Sequence, residues 1–336
     1  MPRVSSSISS FENFESQPRG FATIGWPLVL LLLIVGTALY LIVFTSGVSK
    51  PLTNALDGEY LDFKTQHLIA TAGRPRIIIL AGSNGRYSHR CETIEDDYGV
   101  SCTNMSVHVL ISLRWQLARL QSLLLPGDLL YMPLEYRAPN DDPDAVGEEA
   151  YYVARFAHAE LKYFSWRQKL AALFYFDLRD LLSALAEMAL RRVGVAPPYS
   201  VAQLTPQGDE RGHTAAKAAT YKLDLERWQP SIEAAKDDRR WTDVSGILQW
   251  GAAHGVRVVG GLPTVFDGVE IPQELVDALA RRFRAAGGCF VVLDNKSRYP
   301  RSSFYNTGYH LNEEAQILHS QSVGRSLVDI SHRQEC

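Results

Sequence analysis

The stretch Arg76-Ile77-Ile78-Ile79-Leu80-Ala81-Gly82-Ser83-Asn84-Gly85 decides how the rest of this sequence is interpreted. It opens with a short apolar run and then breaks into small, turn-forming residues. An apolar run of this length that ends at a turn is typical of a buried parallel strand. A tight turn after such a strand can hold a hydroxyl clear of the backbone. We therefore predict that Ser83 stands at the carboxyl edge of a parallel sheet.

Segments with strand and helix character alternate through much of the chain. The predicted strands lie near 76–81, 100–104, 127–132, 255–261 and 288–293, and the predicted helices lie near 107–123, 243–253, 272–286 and 311–328. This alternation predicts an α/β fold with a doubly wound parallel sheet. Further helical stretches at 151–169, 170–192 and about 215–236 interrupt the pattern. They predict a helical insertion at about 145–240 that covers the edge of the sheet.

An uncharged apolar run extends from Pro27 to Phe44. It is about as long as one membrane-spanning helix requires, and Trp26 and Tyr40 are of the residue types that favour membrane interfaces. A cleaved signal peptide would need a shorter apolar core and a clearer cleavage site. A buried core helix is the other alternative. We predict one retained transmembrane helix.

The chain is expected to divide around this helix. We predict a flexible tail at 1–24, a transmembrane anchor at 25–45, a linker at 46–73 and an α/β domain at 74–330. Arg19 is the nearest positive charge before the span, and positive charges favour the cytoplasmic side of a membrane. This charge favours a cytoplasmic N-terminus and an exported C-terminal domain.

Charge excludes one large class of partner. The 336 residues carry a net charge of −3, and no stripe rich in Lys or Arg is present. Proteins that bind nucleic acid generally present a basic surface, so we expect no nucleic-acid partner. We also expect no cofactor.

Cys91 and Cys102 are separated by ten intervening residues in a polar segment that follows the first strand. A disulfide between them would fasten a loop beside the predicted site, and export would favour its formation. With His89 and His108 they could instead form a zinc site, although the usual C-x-x-C spacing is missing. Free thiols are the third alternative. We favour the disulfide and predict no metal.

His310 stands in Asn306-Thr307-Gly308-Tyr309-His310-Leu311-Asn312, near the end of the chain. Asn312-Glu313-Glu314 is typical of an N-cap followed by an acidic first turn, so His310 should lie in the loop that enters the last helix. A serine hydroxyl needs a base to become a nucleophile, and neutral histidine suits that role near neutral pH. We predict Ser83 as the nucleophile and His310 as the base. The structural alternative for Ser83 is an N-capping hydroxyl.

This placement of Ser83 after the first strand and of His310 before the last helix resembles the SGNH (GDSL-like) hydrolase superfamily. The resemblance is closest to the membrane-anchored SGNH-like proteins encoded with bacterial exopolysaccharide machinery, whose final block often reads like Tyr309-His310-Leu311-Asn312. It covers roughly 76–327. It implies a flavodoxin-like sheet and acyl-ester chemistry.

The resemblance also implies further site residues. Relatives usually carry an aspartate a few positions before the histidine, where this chain has Asn306. Either the amide of Asn306 or the carboxylate of Asp294 is then the expected partner of His310. Asn104, together with the backbone N–H of the serine, is the expected oxyanion donor. Glu135 follows the third strand where relatives carry Gly-x-Asn, and a charged carboxylate there would oppose a developing oxyanion.

These features predict a serine-dependent acyl-ester hydrolase or O-acyltransferase that acts on an exported polysaccharide or an envelope glycan. The implied location is the bacterial inner membrane, with a single span and a periplasmic C-terminal domain. Other membrane proteins of the exopolysaccharide machinery are expected partners. The alternative is a noncatalytic subunit that binds glycan or helps to assemble that machinery, which Asn306 and Glu135 favour.

Overall fold

The computed structural model describes residues 22–44, 56–108, 113–136, 153–154, 161–162, 164–175, 177–195, 200–223, 230–236 and 238–333. Its strands are β1 (Arg76–Ile79), β2 (Ser101–Asn104), β3 (Leu129–Pro133), β4 (Arg257–Gly261), β5 (Val265–Phe266), β6 (Cys289–Val291) and β7 (Arg298–Tyr299). Its helices are α1 (Ala22–Val43), α2 (Leu56–Ala70), α3 (Ser83–Ser88), α4 (Cys91–Tyr98), α5 (Leu113–Leu120), α6 (Trp166–Tyr175), α7 (Leu178–Arg192), α8 (Ala215–Ala218), α9 (Glu233–Lys236), α10 (Asp238–Ala253), α11 (Gln273–Ala285) and α12 (Glu313–His332).

The central sheet has five strands in the order β2-β1-β3-β4-β6, and every neighbouring pair is parallel. Counted along the chain, this is the order 2-1-3-4-5 of flavodoxin-like sheets. A second, two-stranded parallel sheet pairs β5 with β7. The predicted α/β fold with a parallel sheet is therefore confirmed.

Each central strand is buried on both faces because its side chains alternate between two helical layers. Ile78, Leu130 and Val258 join a buried cluster with residues of α2, α5, α10 and α11. Ile77, Leu129 and Val259 join a cluster on the opposite face with residues of α4 and α12. The apolar run that predicted β1 thus supplies both layers of the core.

The helical insertion differs from its prediction. The helix predicted over 170–192 is two helices, α6 and α7, because Asp177 begins a new helix and its side chain accepts the N–H of Asp180 at 2.8 Å. The helix predicted over about 215–236 reduces to the short helices α8 and α9 within the described residues. Most of the helix predicted at 151–169 lies outside the described residues.

The predicted linker at 46–73 contains α2, which packs on the sheet domain. Tyr60, Leu61 and Leu68 of α2 are buried. The guanidinium of Arg76, at the start of β1, donates to the Leu68 carbonyl oxygen and pairs with the Asp128 carboxylate. The packed domain therefore includes α2 and extends before residue 74.

Helix α1 is long and apolar enough to cross a membrane over Gly25–Val43, and none of that segment is buried within the chain. This exposure contradicts the alternative of a buried core helix. Its last turn behaves differently, because Tyr40 packs against the domain and Phe44 is only 5 % exposed. The predicted tail at 1–24 lies almost wholly outside the described residues.

Candidate functional site

Helix α3 begins directly after β1 and carries Ser83 as its first residue. The N-cap is Gly82, which has no side chain to cap the helix. Ser83 is half-buried and has no side-chain hydrogen-bond partner among the described residues. Its hydroxyl is therefore not an N-cap, which contradicts the structural alternative for this residue.

Gly85 lets α3 approach the end of β2 closely. A Cβ built at Gly85 would lie 2.2 Å from the Oγ of Ser106, far inside van der Waals contact. The hydroxyl of Ser106 in turn accepts the backbone N–H of Ala81 at 3.1 Å. The glycine in the quoted stretch thus fixes α3, and with it Ser83, against the sheet edge.

Hydrogen bonds fasten α3 to the loop that contains His310. The carbonyl oxygen of Tyr309 accepts from Asn84 Nδ2 at 2.8 Å, from Ser88 Oγ at 3.0 Å and from Thr264 Oγ1 at 2.9 Å. These polar side chains are buried. Because buried hydrogen bonds are costly to break, the two segments form one rigid unit.

His310 lies over the side of α3. Its ring stacks on Tyr87, with ring centroids 4.5 Å apart and planes inclined by 22°. Ser83 and Tyr87 are four residues apart in α3 and therefore lie on the same face of the helix. The structure thus brings Ser83 and His310 to one edge of the sheet.

Asn306 orients the imidazole of His310. The Nδ1 of His310 lies 2.7 Å from the Oδ1 of Asn306. An amide oxygen can only accept, so Nδ1 carries the proton and Nε2 keeps its lone pair. Asn312 caps α12 as predicted, since its Oδ1 accepts the N–H of Ala315 at 3.0 Å.

The environment keeps His310 neutral. Burial lowers the pKa of His310 to about 3, and electrostatic repulsion of a second positive charge by Arg86, His108 and His213 acts in the same direction. At neutral pH the ring is therefore an uncharged base rather than an imidazolium.

Aromatic and charged side chains that no sequence pattern indicated lie near this histidine. His213 is buried edge-on against Tyr87 and Tyr305, at ring-centroid distances of 5.5 Å and 5.7 Å. Burial lowers the pKa of His213 below its ordinary value. Arg86 pairs with Glu210 at 2.8 Å. His213 and Glu210 come from the predicted insertion, which therefore contributes to the site.

Asn104 does not serve the predicted role of oxyanion donor. Its Nδ2 donates to the carbonyl oxygen of Gly85 at 3.1 Å and to that of His89 at 3.0 Å. Its Oδ1 accepts the N–H of Ser106. Both amide hydrogens are thus committed to carbonyl oxygens within α3 and at its C-cap, and this corrects the prediction. Asn104 positions the helix that carries Ser83.

Glu135 lies at the start of α3. Its Oε1 accepts the backbone N–H of Asn84 at 3.0 Å, and the side chain is buried. A carboxylate at a helix N-terminus is electrostatically favourable. The contact occupies a backbone donor directly beside Ser83, so Glu135 stands where an oxyanion would compete for the same donor.

Asp294 does not orient His310. It is exposed in the turn after β6, whereas the Nδ1 of His310 is already bound to Asn306. Of the two predicted partners, the structure therefore brings Asn306 to the histidine and leaves Asp294 outside the site.

Cys91 and Cys102 form the predicted disulfide. It joins the start of α4 to β2, so the polar segment between them is fastened to the sheet beside the site. The bond leaves neither sulfur as a thiolate, which contradicts the alternative of a zinc site with His89 and His108.

A second pair of buried histidines, His89 and His319, is in contact, and nothing in the sequence pattern indicates it. The Nε2 atoms of His89 and His319 are 3.2 Å apart, and the Nδ1 of His319 is 2.8 Å from the hydroxyl of Tyr299. Burial lowers the pKa of His89 to about 3 and holds that of His319 well below its ordinary value. One Nε2 must therefore donate its proton to the other.

Neither similarity to known proteins nor a cluster of metal ligands identifies the function of this site. No protein-family model matches the chain, and no curated protein is significantly similar to it. Within the described ranges, His, Cys, Asp and Glu side chains form no group of three or more that could hold a metal ion. The class that the fold itself defines is an α/β protein with a parallel sheet and one apolar N-terminal helix.

Proposed function

We propose that this chain is a membrane-anchored, SGNH-like acyl-ester hydrolase or O-acyltransferase that acts on an exported polysaccharide or an envelope glycan. One observation carries the proposal. The Nδ1 of His310 is held by Asn306, so Nε2 is an available base in a ring that stacks one helical turn from Ser83. A histidine in this tautomer beside a serine is the arrangement that activates a hydroxyl.

The chemistry uses a covalent acyl intermediate. Ser83 Oγ attacks the ester carbonyl while its proton passes to Nε2 of His310. The C–O bond to the leaving alcohol breaks, and the same proton passes to the departing oxygen. Water or a sugar hydroxyl then attacks the acyl carbonyl and gives its proton to Nε2. The bond from the acyl carbon to Ser83 Oγ breaks, and Nε2 returns the proton to Oγ. Hydrolysis and transfer differ only in this second acceptor.

Two features support an exported, membrane-bound location. Helix α1 meets the length and composition of a span. The Cys91–Cys102 disulfide is of the kind that persists in oxidising compartments such as the bacterial periplasm. A reporter that is active only after export, fused after Cys336, should be active. Activity of a reporter that works only in the cytoplasm would reverse the proposed orientation.

Labelling with a serine-directed fluorophosphonate tests the nucleophile. We expect the full-length protein to form a covalent adduct that Ser83→Ala abolishes. The matched control is Ser322→Ala, which removes an exposed hydroxyl of α12 that bonds only within its own helix. Equal labelling of the native and Ser83→Ala proteins would remove Ser83 as the nucleophile.

The second candidate is a noncatalytic subunit that binds glycan or assembles polysaccharide machinery. The contacts of Asn104 and Glu135 favour it, because they occupy donors that an oxyanion hole needs. One missing donor costs about 3–4 kcal/mol of transition-state stabilisation. If the native protein forms no adduct and binds polysaccharide equally well as Ser83→Ala, this second candidate replaces the first.

A further inference from the structure

Helix α6 exposes an apolar stripe. Trp166, Leu170 and Phe174 occupy positions i, i+4 and i+8 and therefore lie on one face of the helix. Trp166 is 69 % exposed and Phe174 is 81 % exposed. The buried side chain of this helix, Ala172, lies on the opposite face.

Helix α7 exposes an apolar stripe of its own. Leu178, Leu182, Leu185 and Val193 lie within an arc of about 80° around its axis. All four are exposed, Leu178 by 71 % and Val193 by 77 %. Single exposed apolar residues are ordinary, but a contiguous apolar surface marks a site of interaction with a protein or a membrane.

Helix α1 indicates what covers this surface. The hydroxyl of Tyr40 donates to the carbonyl oxygen of Leu173 in α6, and α1 also contacts α7. Phe44 shares a buried cluster with Ala172 and Ala184. Helices α6 and α7 therefore pack, through the sides away from their stripes, beside the end of the one helix of the described chain that is apolar enough to lie in lipid.

The contact with α1 also sets the level along the proposed membrane span at which α6 lies. The 22 residues of α1 are about 33 Å long, close to the thickness of a bilayer's hydrocarbon core. Tyr40 lies in the last turn of α1, so α6 meets the span at its end rather than at its middle. With 10 and 15 residues, α6 and α7 are too short to cross a bilayer.

The charges beside the stripes fit anionic headgroups. The exposed basic residues of this helix pair are Arg167, Lys169, Arg179 and Arg192, whereas its one exposed acidic neighbour within the described residues is Asp177. Interfacial helices combine such basic flanks with Trp, Phe and Leu on the face that enters the lipid.

We propose that α6 and α7 lie in the membrane interface, with both apolar stripes buried among the upper acyl chains of an anionic bilayer. This surface would hold the α/β domain against the membrane beside its own span. The inference rests on the proposed membrane insertion of α1 and does not depend on the ester chemistry.

The test uses the full-length protein in vesicles of phosphatidylcholine and phosphatidylglycerol. The environment-sensitive dye NBD is attached at Leu182→Cys in the stripe, or at Ser183→Cys, the exposed neighbour about 100° around the helix. A third variant, Leu33→Cys, reports from the middle of α1. Phospholipids with a nitroxide on the upper or the lower acyl chain serve as quenchers. Labelling is done without reductant so that the Cys91–Cys102 disulfide stays closed, and the unsubstituted chain is the blank.

We expect upper-chain nitroxide to quench the dye at Leu182→Cys roughly threefold more than at Ser183→Cys, because only the first side chain points into lipid. Lower-chain nitroxide should quench the dye at Leu33→Cys. Equal and weak quenching at both α7 positions, with Leu33→Cys quenched, would overturn the interfacial helices alone. No quenching at Leu33→Cys would overturn membrane insertion itself. A blue-shifted but unquenched dye at Leu182→Cys would show that protein, not lipid, covers the stripe.

Discussion

His310 and His89 are both buried, and burial lowers the pKa of each to about 3. Their ring nitrogens are used differently. His310 gives Nδ1 to an amide oxygen and keeps Nε2 as a base beside the face of α3 that carries Ser83. The Nε2 of His89 is used in a hydrogen bond with His319, whose Nδ1 is bound to the hydroxyl of Tyr299. The same neutral state thus leaves a ring nitrogen available at the proposed active site and forms an interior hydrogen bond at the other site.

The difference shows that a depressed histidine pKa reports burial before it reports chemistry. Both sites would attract notice as perturbed groups. What separates them is the nitrogen that remains available and the proposed nucleophile, Ser83, near it. Replacing each histidine in turn should therefore separate an effect on turnover from an effect on stability.

The largest expected effect is on turnover. His310→Gln should lower kcat/KM for a short-chain acyl ester by about a thousandfold, because no base remains for Ser83. His319→Gln should keep turnover and instead lower the free energy of unfolding by about 1–3 kcal/mol, since it breaks a buried hydrogen bond. Initial rates and thermal melts of both variants measure this. A matching loss of turnover in His319→Gln, below its melting temperature, would erase the distinction between the two sites.

The next effect is on stability as pH falls, where the two sites should behave alike. A histidine with an unfolded pKa near 6.5 and a folded pKa of about 3 binds its proton first in the unfolded state. Its stabilising contribution is complete above about pH 6.5 and is lost as pH falls from there towards about pH 3. Each such histidine should remove about 1.4 kcal/mol per pH unit below its unfolded pKa.

Denaturant unfolding at several pH values measures this slope. Each of His310→Gln and His319→Gln should reduce the dependence of unfolding free energy on pH by the contribution of about one histidine. A slope unchanged by His319→Gln would mean that this ring titrates equally in the folded and unfolded chain, contrary to its buried pair.

The smallest expected effect concerns the orienting residue. Asn306→Asp places a carboxylate beside Nδ1 of His310, and this negative charge should raise the pKa of His310 by about 1–3. The acid limb of kcat/KM should move to higher pH, and turnover at neutral pH should rise by up to about tenfold because the base is stronger. Thr307→Asp is the charge-matched control, since its side chain is one residue away from the Nδ1 contact. A limb that stays in place would remove Asn306 as the orienting group.

The sheet was predictable because its strands are continuous apolar runs ended by turn residues. Ile77 to Ile79 fill both faces of β1, and such a run is distinctive. Asn312 was likewise predictable, since a cap followed by acidic residues is a local signal. Both features depend on neighbours in sequence.

The site contacts were harder to predict because they depend on chain segments far apart. His89 and His319 are 230 residues apart and share no local pattern. Asn104 was placed correctly at the end of β2, but its amide donates to the carbonyl oxygens of Gly85 and His89, which only the packed structure brings within reach. The stripe of Trp166 and Phe174 has the spacing of a core-facing helix, and spacing alone does not say whether protein or lipid covers it.

Phe44 closes α1 and lies inside the core of the domain that follows it. Cutting the chain just after this residue would carry a phenyl ring out of that core, at a cost on the order of 3–5 kcal/mol. Shedding of the domain from the proposed span would therefore release a weakened protein. A soluble fragment that starts after residue 44 lacks the same phenyl ring. The anchor therefore also supplies part of the domain's core and cannot be exchanged freely for another.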